Sequence, residues 1–275
     1  MSRSISILFF LFLILPIKGQ EHDYLELHKA ESQLERLFTE LYSDTLTDPD
    51  RVLREIDFLV PEALTMPGAM DYAWSRLSRI GVRSSDDQHI RIFSWHVMDD
   101  SENYRYFCFI QVRLKKGKME LFALQDNFKA QQGVYRTDQT MASWYGKLYY
   151  SIVTQKVKRK TYYTLLGLDF NNSRSNIKSV EVMTIHRNKP RFEKEMFFNG
   201  NDRVDRLVLE YSKQVAITVR YEPSIDLITF DHLVPLHPIY ENNFEFYGPD
   251  GSFDGLKFED GTWILQNDID ARLQN

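Results

Sequence analysis

Cysteine is almost missing from this chain, since Cys108 is the only one among 275 residues. One cysteine cannot form an intrachain disulfide, and it excludes a cysteine-rich zinc site. Cys108 lies in the apolar run of residues 106–110, which has the composition of a strand. We therefore expect a buried thiol that packs as a small hydrophobic residue, with a nucleophile or an intermolecular bridge as the alternative.

The common catalytic signatures are also missing. The chain has no Gly-x-Ser-x-Gly elbow, no His-Glu-x-x-His, no P-loop and no Gly-x-Gly-x-x-Gly sequence. With 39 acidic residues, no pair of carboxylates can be singled out for glycoside hydrolysis. The sequence therefore favours a protein without catalytic activity.

Basic residues are in deficit. Lysine and arginine number 34 against 39 aspartates and glutamates, which gives a net charge of -5. Nucleic-acid binding needs a basic footprint, so we expect no nucleic-acid partner. The 43% of hydrophobic residues excludes a disordered chain, and aromatic residues are abundant at 14%.

Long apolar runs are confined to the N-terminus. Arg3 precedes nine apolar residues at 7–15, Pro16 ends the run, and Gly19 offers a small residue for cleavage. This order is typical of a secretory signal peptide. A membrane-spanning helix needs about 20 apolar residues, so a retained anchor is the alternative that fits less well. We predict a signal peptide at residues 1–19 and export to the periplasm or the extracellular space.

Cleavage at that point would also change the charge of the protein. Removing Arg3 and Lys18 leaves 32 basic residues against 39 acidic ones, a net charge of -7. The exported protein would then have no transmembrane segment and little attraction for anionic membranes.

Residues 20–79 carry the pattern of helices. A first helix is predicted over 23–47 because apolar residues recur on one face, at Leu34, Leu37, Phe38, Leu41 and Tyr42. Asp48 and Pro49 suit the start of a second helix, which Pro61 should end. A third, short helix is predicted over 69–77.

From residue 80 onward the chain consists of short β-branched and aromatic segments separated by turn residues. About a dozen strands are predicted, at 89–95, 104–114, 119–124, 147–157, 161–169, 177–187, 206–212, 215–221, 225–231, 243–247, 256–259 and 262–265. Asp260-Gly261 is the dipeptide of a type I′ hairpin turn. There is no room for helical crossovers, so the strands should pair antiparallel. The predicted class is mainly β (α+β): a helical N-terminal region, then a large antiparallel meander at 80–275 that forms a barrel, half-barrel or small propeller-like sheet.

One candidate site lies in the sequence Asp250-Gly-Ser252-Phe-Asp254-Gly255. Oxygen ligands at positions 1, 3 and 5 with glycine at position 6 are typical of a calcium loop. Position 12 is Gly261, however, where that loop needs a glutamate. The alternative is a turn in which aspartate side chains bond the local backbone. Calcium is the one cofactor that the sequence suggests.

A second candidate is the pair Asp231 and His232, directly after a predicted strand and followed by His237. An aspartate and histidines in this arrangement can serve acid–base chemistry or bind a metal. Pro235 and Pro238 indicate an extended loop, so surface histidines are the alternative. His96 is a further isolated candidate after a strand end.

Aromatic residues on the strands form a third candidate. Tyrosine and tryptophan combine an apolar face with a polar tip, which suits sugar stacking or protein interfaces. We select Tyr150, Tyr163, Tyr247 and Trp263 as ligand-binding candidates. The same residues suit packing within a β-sheet. The basic residues at 156–160 are interpreted as a solvated hairpin turn.

Three stretches, at residues 85–95, 162–172 and 246–255 with 261–263, resemble a group of secreted proteins of unknown function from Gram-negative bacteria. The resemblance extends over roughly residues 80–268. It implies an exported or cell-envelope location and brings no catalytic residue with it.

The sequence thus favours an exported binding or cell-envelope protein whose partner is a glycan, a lipid or an envelope protein. One alternative is a secreted hydrolase that uses Asp231, His232 and Asp254. The other is a periplasmic carrier that holds a lipid or lipoprotein chain between its helices and a curved sheet.

Overall fold

The computed structural model describes residues 18–99, 103–127, 139–198, 200 and 202–270, with side chains from Tyr24 onward. Residues 1–17 of the predicted signal peptide lie outside the described residues, and Lys18 and Gly19 belong to the first helix. The helices are α1 (Lys18–Leu41) and α2 (Pro49–Thr65). None of the described helices is long and apolar enough to cross a membrane.

The described strands lie in three sheets. The first sheet contains β1 (Gly81–Ser84), β2 (Ile90–Met98), β3 (Tyr104–Arg113) and β4 (Met119–Leu124) in chain order. The second and third sheets are built from β5 (Leu148–Val157), β6 (Lys160–Asp169), β7 (Ser175–His186), β8 (Lys189–Phe192), β9 (Phe197–Phe198), β10 (Arg203–Val204), β11 (Arg206–Ser212), β12 (Val219–Glu222), β13 (Leu227–Pro235), β14 (Tyr247–Glu259) and β15 (Thr262–Gln266). The second sheet has the order β11-β7-β6-β5 with β8 beside β7, and the third has the order β10-β9-β15-β14-β13-β12.

The predicted fold class is confirmed: two helices near the N-terminus precede a series of antiparallel sheets. The one parallel pair among the described strands joins β9 to β15. The hairpin turn at Asp260-Gly261 has positive φ at both residues, +48° and +88°, as a type I′ turn requires.

The helical region differs from the prediction in two places. Pro61 lies inside α2 and does not end it. The buried Val60, Ala63 and Leu64 pack that last turn into the core, which offsets the backbone hydrogen bond lost at proline. The predicted helix at 69–77 is absent, since residues 66–80 form turns in which Trp74 has a positive φ of +51°.

Alternate residues of a strand face opposite sides of its sheet, so one sheet can contribute to two apolar cores. Three such cores hold the layers together. The helices cover one face of the first sheet, where Phe38 meets Trp95 edge to face at 5.4 Å. The other face of the first sheet packs on the second sheet, around Tyr106, Cys108 and Leu165. The second sheet in turn packs on the third. Cys108 is buried, as predicted.

Two clefts lie at opposite ends of β2, and loops form part of the wall of each. The connection between α1 and α2 lies beside the ends of β2 and β3 that meet at Met98 and Tyr104. At the opposite end of β2, the turn before Ile90 lies beside the β5–β6 and β7–β8 turns. A strand of nine residues separates these ends by about 30 Å.

Candidate functional site

His232 and Asp254, which the hydrolase alternative grouped together, are brought into contact by the pairing of β13 with β14. Nδ1 of His232 lies 2.7 Å from Oδ2 of Asp254. The register shifts between Asp231 and Leu233, so His232 sits at a β-bulge. The histidine side chain is 43% exposed and that of Asp254 is 10% exposed. The hydrogen bond to Asp254 raises the pKa of His232 above its usual value.

Asp231 does not join this pair. Its Oδ2 accepts a hydrogen bond from the backbone N–H of Thr218. His237 accepts one from the N–H of Ile239 at 3.2 Å and caps a short 3₁₀-helix. Of the three residues proposed for a hydrolase, only His232 and Asp254 are therefore in contact.

The predicted calcium loop forms part of β14, with Gly251 at a φ of +94°. Oδ1 of Asp250 accepts hydrogen bonds from Ser252 N at 2.9 Å and from Ser252 Oγ at 2.7 Å. Asp254 accepts a bond from the N–H of Asp268 at 3.0 Å. Within the described ranges, no group of three or more His, Cys, Asp or Glu side chains is placed to hold a metal. The hydrogen bonds from Ser252 to Asp250 are those expected of the turn alternative. Calcium binding stays a prediction.

The four aromatic candidates lie at different depths. Trp263 is fully buried and its Nε1 donates to Thr164 Oγ1 at 2.9 Å. Tyr163 is 1% exposed and its hydroxyl donates to Asp87 Oδ2 at 2.9 Å. Both side chains are buried, and the polar tip of each has a hydrogen-bond partner.

Tyr150 and Tyr247 are half-buried. The hydroxyl of Tyr150 donates to the carbonyl of Val219 at 3.1 Å and so ties the second sheet to the third. Tyr247 packs against Phe244 at 4.9 Å, and its hydroxyl accepts a bond from Asn242 N. The four rings do not form one continuous face, and a ligand-binding role for them stays a prediction.

A buried ion pair that the sequence did not indicate lies between the first and second sheets. Lys147 is completely buried, and its Nζ lies 2.9 Å from Oε2 of Glu181. The hydroxyl of Tyr149 and the amide of Gln139 also donate to this carboxylate. A Cβ at Gly167 would lie 2.6 Å from Lys147 Cδ, so glycine leaves the space that the lysine stem occupies.

Burial and charge set the protonation of this pair. Burial lowers the pKa of Lys147 to about 8, although the Glu181 carboxylate opposes that shift. For Glu181, burial favours the neutral form, but Lys147, Arg206 and the hydrogen bonds together hold its pKa below the usual value. Both groups are charged at neutral pH and enclosed by protein, which fits a role in packing.

The pocket with the chemistry of a ligand site lies between the α1–α2 connection and the ends of β2 and β3. We call it the aromatic pocket. It encloses about 630 Å³, a volume usual for small-ligand sites, and its walls include Tyr42, Asp50, Leu53, His96, Tyr104 and Arg105.

Three rings form one wall of the aromatic pocket. The ring of His96 lies 5.9 Å from that of Tyr42 and 5.6 Å from that of Tyr104. The ring of Phe170 lies 4.9 Å from that of His96. The hydroxyl of Tyr42 donates to the His96 carbonyl at 2.9 Å, which fixes the helix end against the strand.

These polar groups are neutral at physiological pH. Burial lowers the pKa of His96, and burial raises the pKa of Tyr42 to about 12. The charges at the pocket are the carboxylates of Asp50 and Asp99 and the guanidinium of Arg105. The pocket therefore offers stacking surfaces beside hydrogen-bonding groups, with little net charge.

Sequence patterns identified only His96 among the residues of this wall. Tyr42 fits the buried face of a helix and Tyr104 the start of a strand, so neither is distinctive alone. Both stand at the end of an element, and aromatic residues at such ends are the signal that could have marked the pocket.

Comparisons with protein families, curated proteins and solved structures found no match to this chain. The geometry of the described residues is therefore the basis for assigning a function.

Proposed function

We propose that this protein is an exported, non-catalytic binding protein that holds a neutral saccharide in the aromatic pocket. The observation that carries the proposal is the wall formed by Tyr42, His96 and Tyr104 beside polar side chains in one cleft. The signal-peptide pattern at residues 1–19 supports export to the periplasm or outside the cell.

A sugar ring matches both kinds of surface in the pocket. Its C–H face is apolar and can lie on the ring of Tyr104 or on the apolar side chain of Leu53. Its edge carries hydroxyl groups, which Asp50, Asp99 and Arg105 can bond. A purely apolar ligand would shield these polar groups from water without offering them hydrogen bonds, at a cost in binding free energy.

The charge of the pocket favours a neutral ligand. The walls of the pocket carry two carboxylates and one guanidinium. His96 is uncharged because burial lowers its pKa. An acidic saccharide would meet repulsion from Asp50 and Asp99.

Titration calorimetry with maltotriose, cellotriose, xylotriose and chitotriose tests this proposal. We expect at least one trisaccharide to bind the wild-type protein. Tyr104→Ala should weaken that binding about fivefold to tenfold, since aromatic stacking contributes about 1 kcal/mol. Tyr104→Phe keeps the ring and should bind nearly as well as wild type.

Tyr24→Ala is the matched control, because Tyr24 is an exposed tyrosine on α1 that does not line the pocket. It should bind like the wild type. Binding of palmitate at the same site, with none of the four sugars bound, would contradict the proposal and favour the lipid carrier.

The hydrolase alternative is favoured by one observation, the 2.7 Å contact between His232 and Asp254. A histidine oriented by a carboxylate can act as a general base. Assays with p-nitrophenyl esters and glycosides decide between the two functions. We expect no turnover, whereas turnover that is lost in a folded His232→Ala variant would favour the hydrolase.

A further inference from the structure

A second cleft lies at the other end of β2, where three turns meet. It encloses about 700 Å³. We call it the basic cleft because its walls include the basic residues His89, Arg159, Lys160, His186 and Arg191, beside Tyr163. Arg159 lies in the β5–β6 turn and Lys160 begins β6, while His186 and Arg191 belong to the β7–β8 hairpin. The aromatic pocket is about 30 Å away along β2.

Cations are concentrated here although the whole chain is acidic. The same two turns also carry Lys158, Arg187 and Lys189, all exposed. The acids nearby are Asp87 and Glu193 on the walls and Asp86 in the adjoining turn. In a protein of net charge -5, this cleft is a local positive region.

Both carboxylates on the walls already have partners. Asp87 accepts hydrogen bonds from the hydroxyl of Tyr163 at 2.9 Å and from that of Ser85 at 2.6 Å. Glu193 accepts a bond from Thr184 at 2.6 Å and lies 3.3 Å from Lys160 Nζ. These contacts hold the two acids in place, and the cation that pairs with Glu193 is Lys160.

The two arginines on the walls of the cleft are Arg159 and Arg191. Neither forms an ion pair with another of the residues that the structure describes, and both are exposed. A guanidinium presents a planar set of donors that fits carboxylate, sulfate or phosphate oxygens in pairs. The two unpaired guanidiniums therefore face the cleft with their binding capacity unused.

We propose that the basic cleft is a second binding site, which takes an acidic saccharide whose rings carry carboxylate or sulfate groups. The cleft has the volume of a small-ligand site, and its hydroxyl, imidazole and guanidinium groups suit a hydrophilic anion with several charges. The remaining surface of this acidic chain would repel a long polyanion such as a nucleic acid, whereas a short oligosaccharide needs only the cleft.

A charge-reversal experiment tests this proposal on the full chain. A heparin hexasaccharide and a hexagalacturonate serve as probes, and a single-stranded oligonucleotide of equal charge serves as the comparison. We expect at least one saccharide to bind wild type, and Arg159→Glu/Arg191→Glu to weaken that binding at least tenfold. The control Arg36→Glu/Arg54→Glu makes the same change in net charge on exposed helix positions and should weaken it less than twofold.

Three results would overturn the proposal: no binding of either saccharide, equal loss in both double variants, or tighter binding of the oligonucleotide. A melting curve of each variant shows whether it is folded, and Arg159→Lys/Arg191→Lys offers a charge-preserving variant that should retain most of the binding. The outcome is independent of the neutral-saccharide proposal, because Tyr104→Ala should leave binding in the basic cleft unchanged.

Discussion

Lys147 and Glu181 show how one pair of residues constrains two sheets. The ammonium is fully buried and lies 2.9 Å from the Glu181 carboxylate, which also accepts hydrogen bonds from Tyr149 and Gln139. Such a pair adds little net stability when intact, because burying both charges costs about as much as their attraction returns. Removing one partner is different, since the other charge is then left buried and alone.

We therefore expect Glu181→Gln to lower the free energy of unfolding by about 3–5 kcal/mol. Urea denaturation at neutral pH measures the loss. Glu26→Gln removes the carboxylate of an exposed pair with Lys29 and should not shift the midpoint measurably.

The difference in stability between the wild type and Glu181→Gln should become smaller in acid. The pKa of Glu181 lies below its usual value in the folded protein, so its contribution to stability is present above pH 4.5 and is lost as the pH falls. The wild-type and Glu181→Gln midpoints should then converge. Equal midpoints already at neutral pH would contradict a structural role for the pair.

His232 gives a prediction that does not depend on stability. The contact with Asp254 raises its pKa, so the imidazole should titrate above 6.5 in an NMR titration. Asp254→Asn removes the charged acceptor and should return the midpoint toward 6.5. Asp231→Asn is the control, because Asp231 bonds Thr218 and not His232.

Any stability that this contact adds is greatest below pH 6.5 and is lost as the pH rises through the folded pKa. A His232 midpoint that is identical in the wild type and in Asp254→Asn would show that the 2.7 Å contact does not persist in solution.

At the scale of elements, the helices act as a cover for the first sheet. Their buried faces meet Phe93 and Trp95 on β2, and Trp74 from the following turns completes the contact. In proteins most of the stability of a helix comes from packing of its apolar face, so this contact is what stabilises α1 and α2.

Two phenylalanines on these helices provide a matched test. Phe38 is 1% exposed and packs on Trp95, whereas Phe58 is 71% exposed. We expect Phe38→Ala to cost about 3–5 kcal/mol and Phe58→Ala less than about 0.5 kcal/mol in urea denaturation. Similar losses in the two variants would mean that the helices do not cover the sheet as described.

Local patterns were sufficient to predict some elements and not others. The stripe from Leu34 to Tyr42 predicted α1, and Asp260-Gly261 predicted its hairpin, since both depend on neighbouring residues. The short strands β1, β8, β9 and β10 were missed, because they have two to four residues and exist through long-range pairing. Phe197 on β9, for example, pairs with Trp263.

The distinction between local patterns and long-range contacts also explains how far the sites could be predicted. The His232–Asp254 contact joins residues 22 apart that the sequence had already marked, although it could not show that they meet. The aromatic pocket combines a helix end, a loop and two strand ends, so it exists only after the helices have packed on the first sheet. Its residues have no shared spacing in the sequence.

At the scale of the whole molecule, the fold stacks a helical layer and three sheets on three successive cores. The first sheet belongs to two of these cores, and β2 runs from one cleft to the other. The two clefts differ in charge and in aromatic content, so the molecule offers a nearly neutral site at one end of β2 and a positive site at the other.

The location of the neutral ligand tests the central claim most directly. Imidazole NMR spectra of the seven histidines are recorded while the trisaccharide that binds most tightly is added to saturation. The account predicts that the signals of His96 move, because its ring lies in the wall of the aromatic pocket, while those of His89 and His186 stay in place. Unchanged His96 signals at saturation, or shifts confined to the basic cleft, would contradict it.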